Sequence, residues 1–128
     1  MAVEVRDDLR YSDDHEWVRD EGETATMGIT AYAAEQLGDI VFVDLPAVGR
    51  TIAPRETLGV IESVKAVSDI YAPVGGAVVA INGELASRPE LVNADPYGEG
   101  WMVKLRLGRR ADLDELRDPD SYRALIAG

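Results

Sequence analysis

Short apolar runs, each closed by glycine, proline or an acidic turn, recur along the chain, and their spacing predicts strands more often than helices. Glu16–Arg19 and Glu23–Ile29 read as two strands of a hairpin joined through the turn signal Glu21-Gly22. Thr30 is a good helix N-cap for Ala31–Leu37, and Gly38 supplies the left-handed stop. Asp39–Leu45 is β-branched and aromatic, a strand expected to be partly covered on both faces, and Pro46 to Gly49 break it. Thr57–Ser63 and Val67–Ala72 are strand-like and separated only by Val64-Lys65-Ala66. Pro73 to Gly76 turn the chain into a strand over Ala77–Ile81 that ends at Asn82-Gly83. A short helix is expected over Pro89–Val92, a loop over Asn93–Gly100, and a strand over Trp101–Leu107 with its basic residues on one side.

Beyond Leu107 the pattern changes. Asp112 with Glu115 resembles a capping box, and Asp118-Pro119 starts a helix on which Tyr122, Leu125 and Ile126 share a face. A faint echo links Val48-Gly49…Val60-Ile61-Glu62 to Val74-Gly75…Val78-Val79-Ala80, a glycine turn before a β-branched strand each time, as a two-sheet core would require. Strands at short intervals with peripheral helices predict a mainly β fold, a small sandwich or flattened barrel, in one domain over residues 1–128.

Composition narrows the chemistry. A chain of 128 residues, 46% hydrophobic, can bury a core without staples. It contains no cysteine, which excludes disulfides, thiolate metal sites and a cysteine nucleophile. Asp and Glu total 24 against 13 Lys and Arg, a formal charge of −11, so unassisted binding to nucleic acid or to an anionic membrane is disfavoured. The stretch Met1–Asp8 is acidic and lacks the basic and apolar parts of a signal peptide, so a cytoplasmic location is expected; a mitochondrial matrix location would require a transit peptide already removed.

Catalytic constellations are sparse. There is no phosphate-binding loop, no nucleophile elbow and no dinucleotide fingerprint. The single histidine, His15, has no second histidine or cysteine to work with and reads as a loop residue near the first strand. Asp13, Asp14 and Glu16 offer oxygen ligands but lack the spacing of a calcium loop, and read as solvated acids. No catalytic residue and no metal site is assigned, and the chain reads as a non-enzyme.

The lysine count then gains weight. Only Lys65 and Lys104 are lysines among the 13 basic residues. Lys65 sits at the tip of a tight hairpin, where it serves either as a charge that blunts a strand edge or as an attachment point that projects a primary amine to a modifying enzyme. Val64 and Val67 are odd choices for solubility and suit a recognition surface. Lys104 lies inside a strand and has no such setting.

The run Val60-Ile61-Glu62-Ser63-Val64-Lys65-Ala66-Val67-Ser68-Asp69 closely resembles the lipoyl-lysine hairpin of the glycine cleavage system H proteins. His15-Glu16-Trp17-Val18, Gly28-Ile29-Thr30, Leu37–Val43, Leu45-Pro46 and Asn93–Trp101 resemble the same family in the same order, from Tyr11 to Ile126. Two departures stand out: Ala31 where family members often carry an acid, and Asp14 in a neighbourhood where serine is common.

The resemblance implies a barrel-sandwich hybrid of two antiparallel sheets, with short peripheral helices and a C-terminal helix. It implies lipoate held as an amide on Lys65, with Glu62, Ser63, Val64 and Ala66 recognised by a lipoate ligase or lipoyl/octanoyl transferase. It implies a monomeric carrier serving three enzymes: the pyridoxal-phosphate glycine decarboxylase (P protein), the aminomethyltransferase (T protein) and the dihydrolipoamide dehydrogenase (L protein). Glu16 and Asp69, with Asp14, match the family's cleft that shelters the cationic end of the loaded arm. A rigid hairpin pinned by Val60, Ile61, Ile70 and Tyr71 suits such an anchor, and the lack of cysteine avoids a mixed disulfide with the arm. A biotin carrier would share the hairpin, but it typically has methionine beside the lysine, where this chain has Val64 and Ala66. An unmodified acidic interaction module is the third reading.

Overall fold

The computed structural model describes residues 3–128. In chain order the elements are β1 (Arg10–Tyr11), β2 (Glu16–Asp20), β3 (Thr24–Ile29), α1 (Ala31–Leu37), β4 (Ile40–Asp44), β5 (Thr51–Ile52), β6 (Thr57–Ser63), β7 (Val67–Tyr71) and β8 (Gly76–Ile81). A 3-10 turn (Gly83–Ala86), α2 (Leu91–Ala94), β9 (Val103–Leu107), a 3-10 segment (Arg110–Glu115) and α3 (Pro119–Ala127) follow. The strands form a six-stranded sheet in the order β1-β2-β3-β9-β8-β5 and a three-stranded sheet in the order β4-β6-β7. Every strand pairing is antiparallel, and neither sheet closes into a barrel.

The two sheets share one core. Val18, Met27, Val78, Val103 and Leu105 from the larger sheet meet Ile40, Val43, Ile61 and Ile70 from the smaller. In β6 and β7 this burial follows the two-residue period of a strand: Ile61 and Ile70 face the core while Val60, Glu62 and Asp69 point away. Within the smaller sheet, β4 and β6 can lie side by side because Gly59 has no side chain. A Cβ there would lie 2.0 Å from the Asp44 carbonyl oxygen, at the end of the β4–β6 pairing.

A second cluster, Leu9, Tyr11, Trp17, Tyr97 and Tyr122, seals one end. The Tyr11 and Tyr122 rings stack at 4.4 Å with 9° between planes, which fixes α3 against β1. Asp118 caps α3 by accepting from Ser121 N at 2.8 Å, and Pro119 opens the helix, as its sequence predicts. Thr30 likewise caps α1 through Ala33 N at 3.1 Å, and Gly38 ends it at φ +81°.

Three expectations need correction. Asp112 and Glu115 form no capping box: Arg109 occupies the cap position, and the buried Asp112 carboxylate accepts from Gly75 N at 3.2 Å instead. A tertiary partner took the side chain that local sequence would have spent on its own backbone. The strand foreseen over Asp39–Leu45 runs Ile40–Asp44 and is covered on its core face only, because a bulge between Ile40 and Phe42 turns both Val41 and Phe42 to solvent. The loop foreseen from Asn93 begins two residues later, since Asn93 and Ala94 close α2. The two-residue strands β1 and β5 are too short to leave a periodic signal.

Candidate functional site

The β6–β7 hairpin is built to hold one residue out. Strand register pairs Glu62 with Val67, leaving Ser63–Ala66 as the turn. Ser63 is almost fully buried, and its hydroxyl accepts from Ala66 N at 3.1 Å and Lys65 N at 3.3 Å, so both amides at the tip find a partner within the turn. Ser63 N donates to Ala66 O at 2.8 Å, and Val64 N donates to Asp39 O at 3.0 Å. The tip is thereby tied across to the chain just before β4. Lys65 itself is exposed, its stem near Gly38 at the end of α1, and it forms no ion pair among the described residues. By contrast, Lys104 is half-buried and lies 3.6 Å from the Glu21 carboxylate.

This donor set fits an amide-linked acyl group. The amine is primary, uncommitted and solvent-facing, while the backbone beneath it is hydrogen-bonded and anchored by Ile61 and Ile70, each 1% exposed. Val60 and Tyr71, expected to help pin the hairpin, are only partly buried.

Glu16 and Asp69 both meet Tyr71, Glu16 at its backbone N–H and Asp69 at its hydroxyl. Glu16, at the start of β2, is 2% exposed; its Oε1 accepts from Ser12 Oγ at 2.5 Å and its Oε2 from Tyr71 N at 3.4 Å. The Tyr71 hydroxyl stands 3.5 Å from Asp69 Oδ2, on the exposed side of β7. Burial pushes the Glu16 carboxyl up to about 8, partly opposed by the Ser12 and Tyr71 hydrogen bonds. Burial therefore favours the protonated form of Glu16.

Asp14 is exposed in the turn before β2 and does not join Asp69. It lines a cleft of about 310 Å³ with Tyr11, Ser12, Arg55, Pro73 and Glu115. Ser12 connects the two places, since it borders this cleft and bonds Glu16. Sequence reading passed over Ser12, and it took Tyr71 only as a residue pinning the hairpin, not as a partner of Glu16. The first was detectable only as a hydroxyl four residues before an acid, and the second contributes a backbone N–H that no side-chain pattern announces.

The oxygen-ligand trio of Asp13, Asp14 and Glu16 does not assemble: Asp13 is held by Arg117 at 2.6 Å, while Glu16 faces inward. His15 occupies a loop at φ +68°, as expected of a turn residue, and its Nδ1 meets the Tyr122 hydroxyl at 2.9 Å. That hydroxyl also contacts Thr30 Oγ1 at 2.8 Å, so one buried tyrosine ties α3 to the caps of β2 and α1. Burial pushes the His15 imidazole below its ordinary value, opposed by Asp14 and Asp13.

Comparison with known proteins then bears on these features. The sequence profile described as "Glycine cleavage H-protein" matches residues 9–127. The chain is similar to the probable glycine cleavage system H protein of Haloarcula marismortui, at 52% identity over 98% of this chain and 99% of the relative. It is similar also to the glycine cleavage system H protein of Brevibacillus brevis, at 54% identity over 97% and 98%. Among solved structures it resembles the glycine cleavage system H protein from Mycobacterium marinum, with TM-score 0.88 and 35% identity over 97% of this chain and all of that one.

Proposed function

The chain belongs to the glycine cleavage H-protein family, and from that membership we propose that it is a lipoyl-lysine carrier whose attachment point is Lys65. The observation that carries this reading is the exposed Lys65 amine, without an ion-pair partner among the described residues, on a turn that Ser63 holds from within. Acylation makes an amide at Nζ: the ammonium first gives up one proton to become the free amine, a second proton leaves as the C–N bond forms, and the activating group departs from the acyl carbon. It takes the formal charge from −11 to −12.

When bound, lipoate supplies the disulfide–dithiol chemistry on which aminomethyl transfer and NAD-linked reoxidation depend. The chain contributes placement. Lys65 presents the group to solvent, and the hairpin beneath it limits where the root of the arm can travel. In this role the protein carries the aminomethyl group of glycine from the P protein to the T protein and reducing equivalents to the L protein, in the cytoplasm, as a monomer. Its own residues perform no bond-making step.

Glu16 and Asp69, with Asp14 on the neighbouring cleft, are the proposed shelter for the cationic end of the loaded arm. Burial favours a proton on the Glu16 carboxyl in the unloaded protein. An ammonium nearby favours its ionised form, so docking the amine would move that proton from the carboxyl to solvent. Two acids and a partly closed wall then hold the cation and keep water away.

Intact-mass measurement of protein from lipoate-replete cells tests the assignment. A lipoyl increment that maps to Lys65 and vanishes in Lys65→Arg is the expected result. A biotinyl increment, or none, would overturn it.

A further inference from the structure

Four of the five large apolar side chains most exposed among the described residues lie on the lysine-bearing sheet: Val41 at 53%, Phe42 at 48%, Val64 at 69% and Val67 at 67%. Their grouping follows from register. Phe42 lies opposite Glu62, and Glu62 opposite Val67; one pleat further on, Asp44, Val60 and Asp69 are aligned in the same way. Cross-strand partners share a face, so both rows belong to the outer surface. The β4 bulge adds Val41, which strict alternation would have placed on the opposite side from Phe42. Val64, tied to Asp39 O, carries the apolar strip up to the tip beside Lys65.

The charges on this surface have one sign. Glu62 lies within the row between Phe42 and Val67, Asp39, Asp44 and Asp69 flank it, and β4, β6 and β7 contain no lysine or arginine. The one cation of the hairpin is Lys65. Apolar side chains kept in water among acids are unneeded by the core and mark an interaction surface, for a partner that presents apolar and basic side chains together.

The geometry points to this strip as the docking surface of the acyltransferase that loads Lys65. The inference rests on Lys65 being the lipoylated residue. Distance selects this partner over the enzymes that use the finished arm. An acyltransferase must bring its activated carbonyl within bonding range of Nζ, so its surface meets the hairpin within one lysine side chain's length. Enzymes acting at the far end of the arm are under no such constraint. In the step itself, the neutral Nζ attacks the carbonyl carbon of lipoic acid activated as a mixed anhydride or thioester. The C–N bond forms, the C–O or C–S bond breaks with its electron pair leaving on the activating group, and Nζ gives up a proton.

The test uses the full chain with Phe42→Ser and Val67→Ser, and separately Asp44→Lys. Each is compared with the parent for kcat/KM of enzymatic lipoylation, for acetylation of Lys65 by a small activated ester, and, after forced loading, for reduction of the arm by dihydrolipoamide dehydrogenase. The expected result is a tenfold or greater loss of enzymatic lipoylation, mostly in KM, with small-reagent acetylation and dehydrogenase turnover within twofold of the parent. Lipoylation of the parent should also slow as salt rises. Lipoylation at parental kcat/KM in all variants would overturn the inference. So would an equal loss in the dehydrogenase reaction, which would make the strip a general docking face. Absence of any lipoyl increment on the parent protein is a different failure, that of Lys65 as the attachment point.

Discussion

Ser12 and Glu16 hold each other twice: the serine hydroxyl donates to Glu16 Oε1 at 2.5 Å and accepts from Glu16 N at 3.0 Å. This reciprocal pair settles a carboxyl in an almost sealed position and leaves its protonation to decide what the burial costs. The carboxyl titrates near 4.5 when exposed and near 8 here. Between those values the folded protein binds more protons than the unfolded chain, so stability falls as pH rises through the window and levels off above it. Glu16→Gln is expected to remove that slope. It should match the parent near pH 4.5 and exceed it by on the order of a few kcal/mol at pH 9, because the amide bears no buried charge. His15, shifted in the opposite sense, gives both proteins the same rising contribution near its own titration, so the difference between the two urea-unfolding series isolates Glu16. Parallel curves would sink the claim.

The shelter proposed for the loaded arm makes a kinetic prediction. Glu16→Gln with Asp69→Asn should shorten the lifetime of the aminomethyl-loaded protein, followed by release of ammonia or formaldehyde. Asp14→Asn alone should have a smaller effect, since Asp14 faces the neighbouring cleft. An unchanged lifetime in the double variant would remove both acids from the site.

Ser63 links the turn to its function. Ser63→Ala leaves the amides of Lys65 and Ala66 without their nearby acceptor, at a cost of about 1 kcal/mol. Amide hydrogen exchange at those two positions should accelerate while Ile61 and Ile70 keep their protection. Faster exchange across the whole hairpin would show that the serine holds more than the tip.

Gly59→Ala asks for space already taken, a Cβ at 2.0 Å from Asp44 O. Because the obstacle is backbone, the β4–β6 pairing must open, and a loss of about 3 kcal/mol is expected in chemical denaturation. A near-neutral result would mean that β4 can move away without cost.

Tyr122→Phe keeps the stack on Tyr11 but strips His15 Nδ1 and Thr30 Oγ1 of their shared partner. Thermal unfolding should report a loss of about 1–2 kcal/mol. The His15 imidazole should shift measurably in NMR titration, while a variant lacking only the ring stack would leave it in place.

Much of this protein was legible in the residue order. Alternation and turn residues located the longer strands and both hairpins, and Thr30, Gly38, Asp118 and Pro119 marked the helix ends, because these preferences act within a few residues of the chain. Lys65 stood out for the same reason: its turn is local, and Val64-Lys65-Ala66 between two strands can only be a tip. Tertiary structure decided the rest. Asp112 abandoned its local cap for Gly75 N, a partner 37 residues away. Glu16, a solvated acid by sequence pattern, became a buried carboxyl because Ser12 and Tyr71 meet it from two directions. The outer face of β4 lies open because a bulge, set by pairing with β6, turns Val41 and Phe42 outward together. Sequence records preferences between near neighbours. Burial, and the partners that make burial tolerable, exist only once distant segments share a surface.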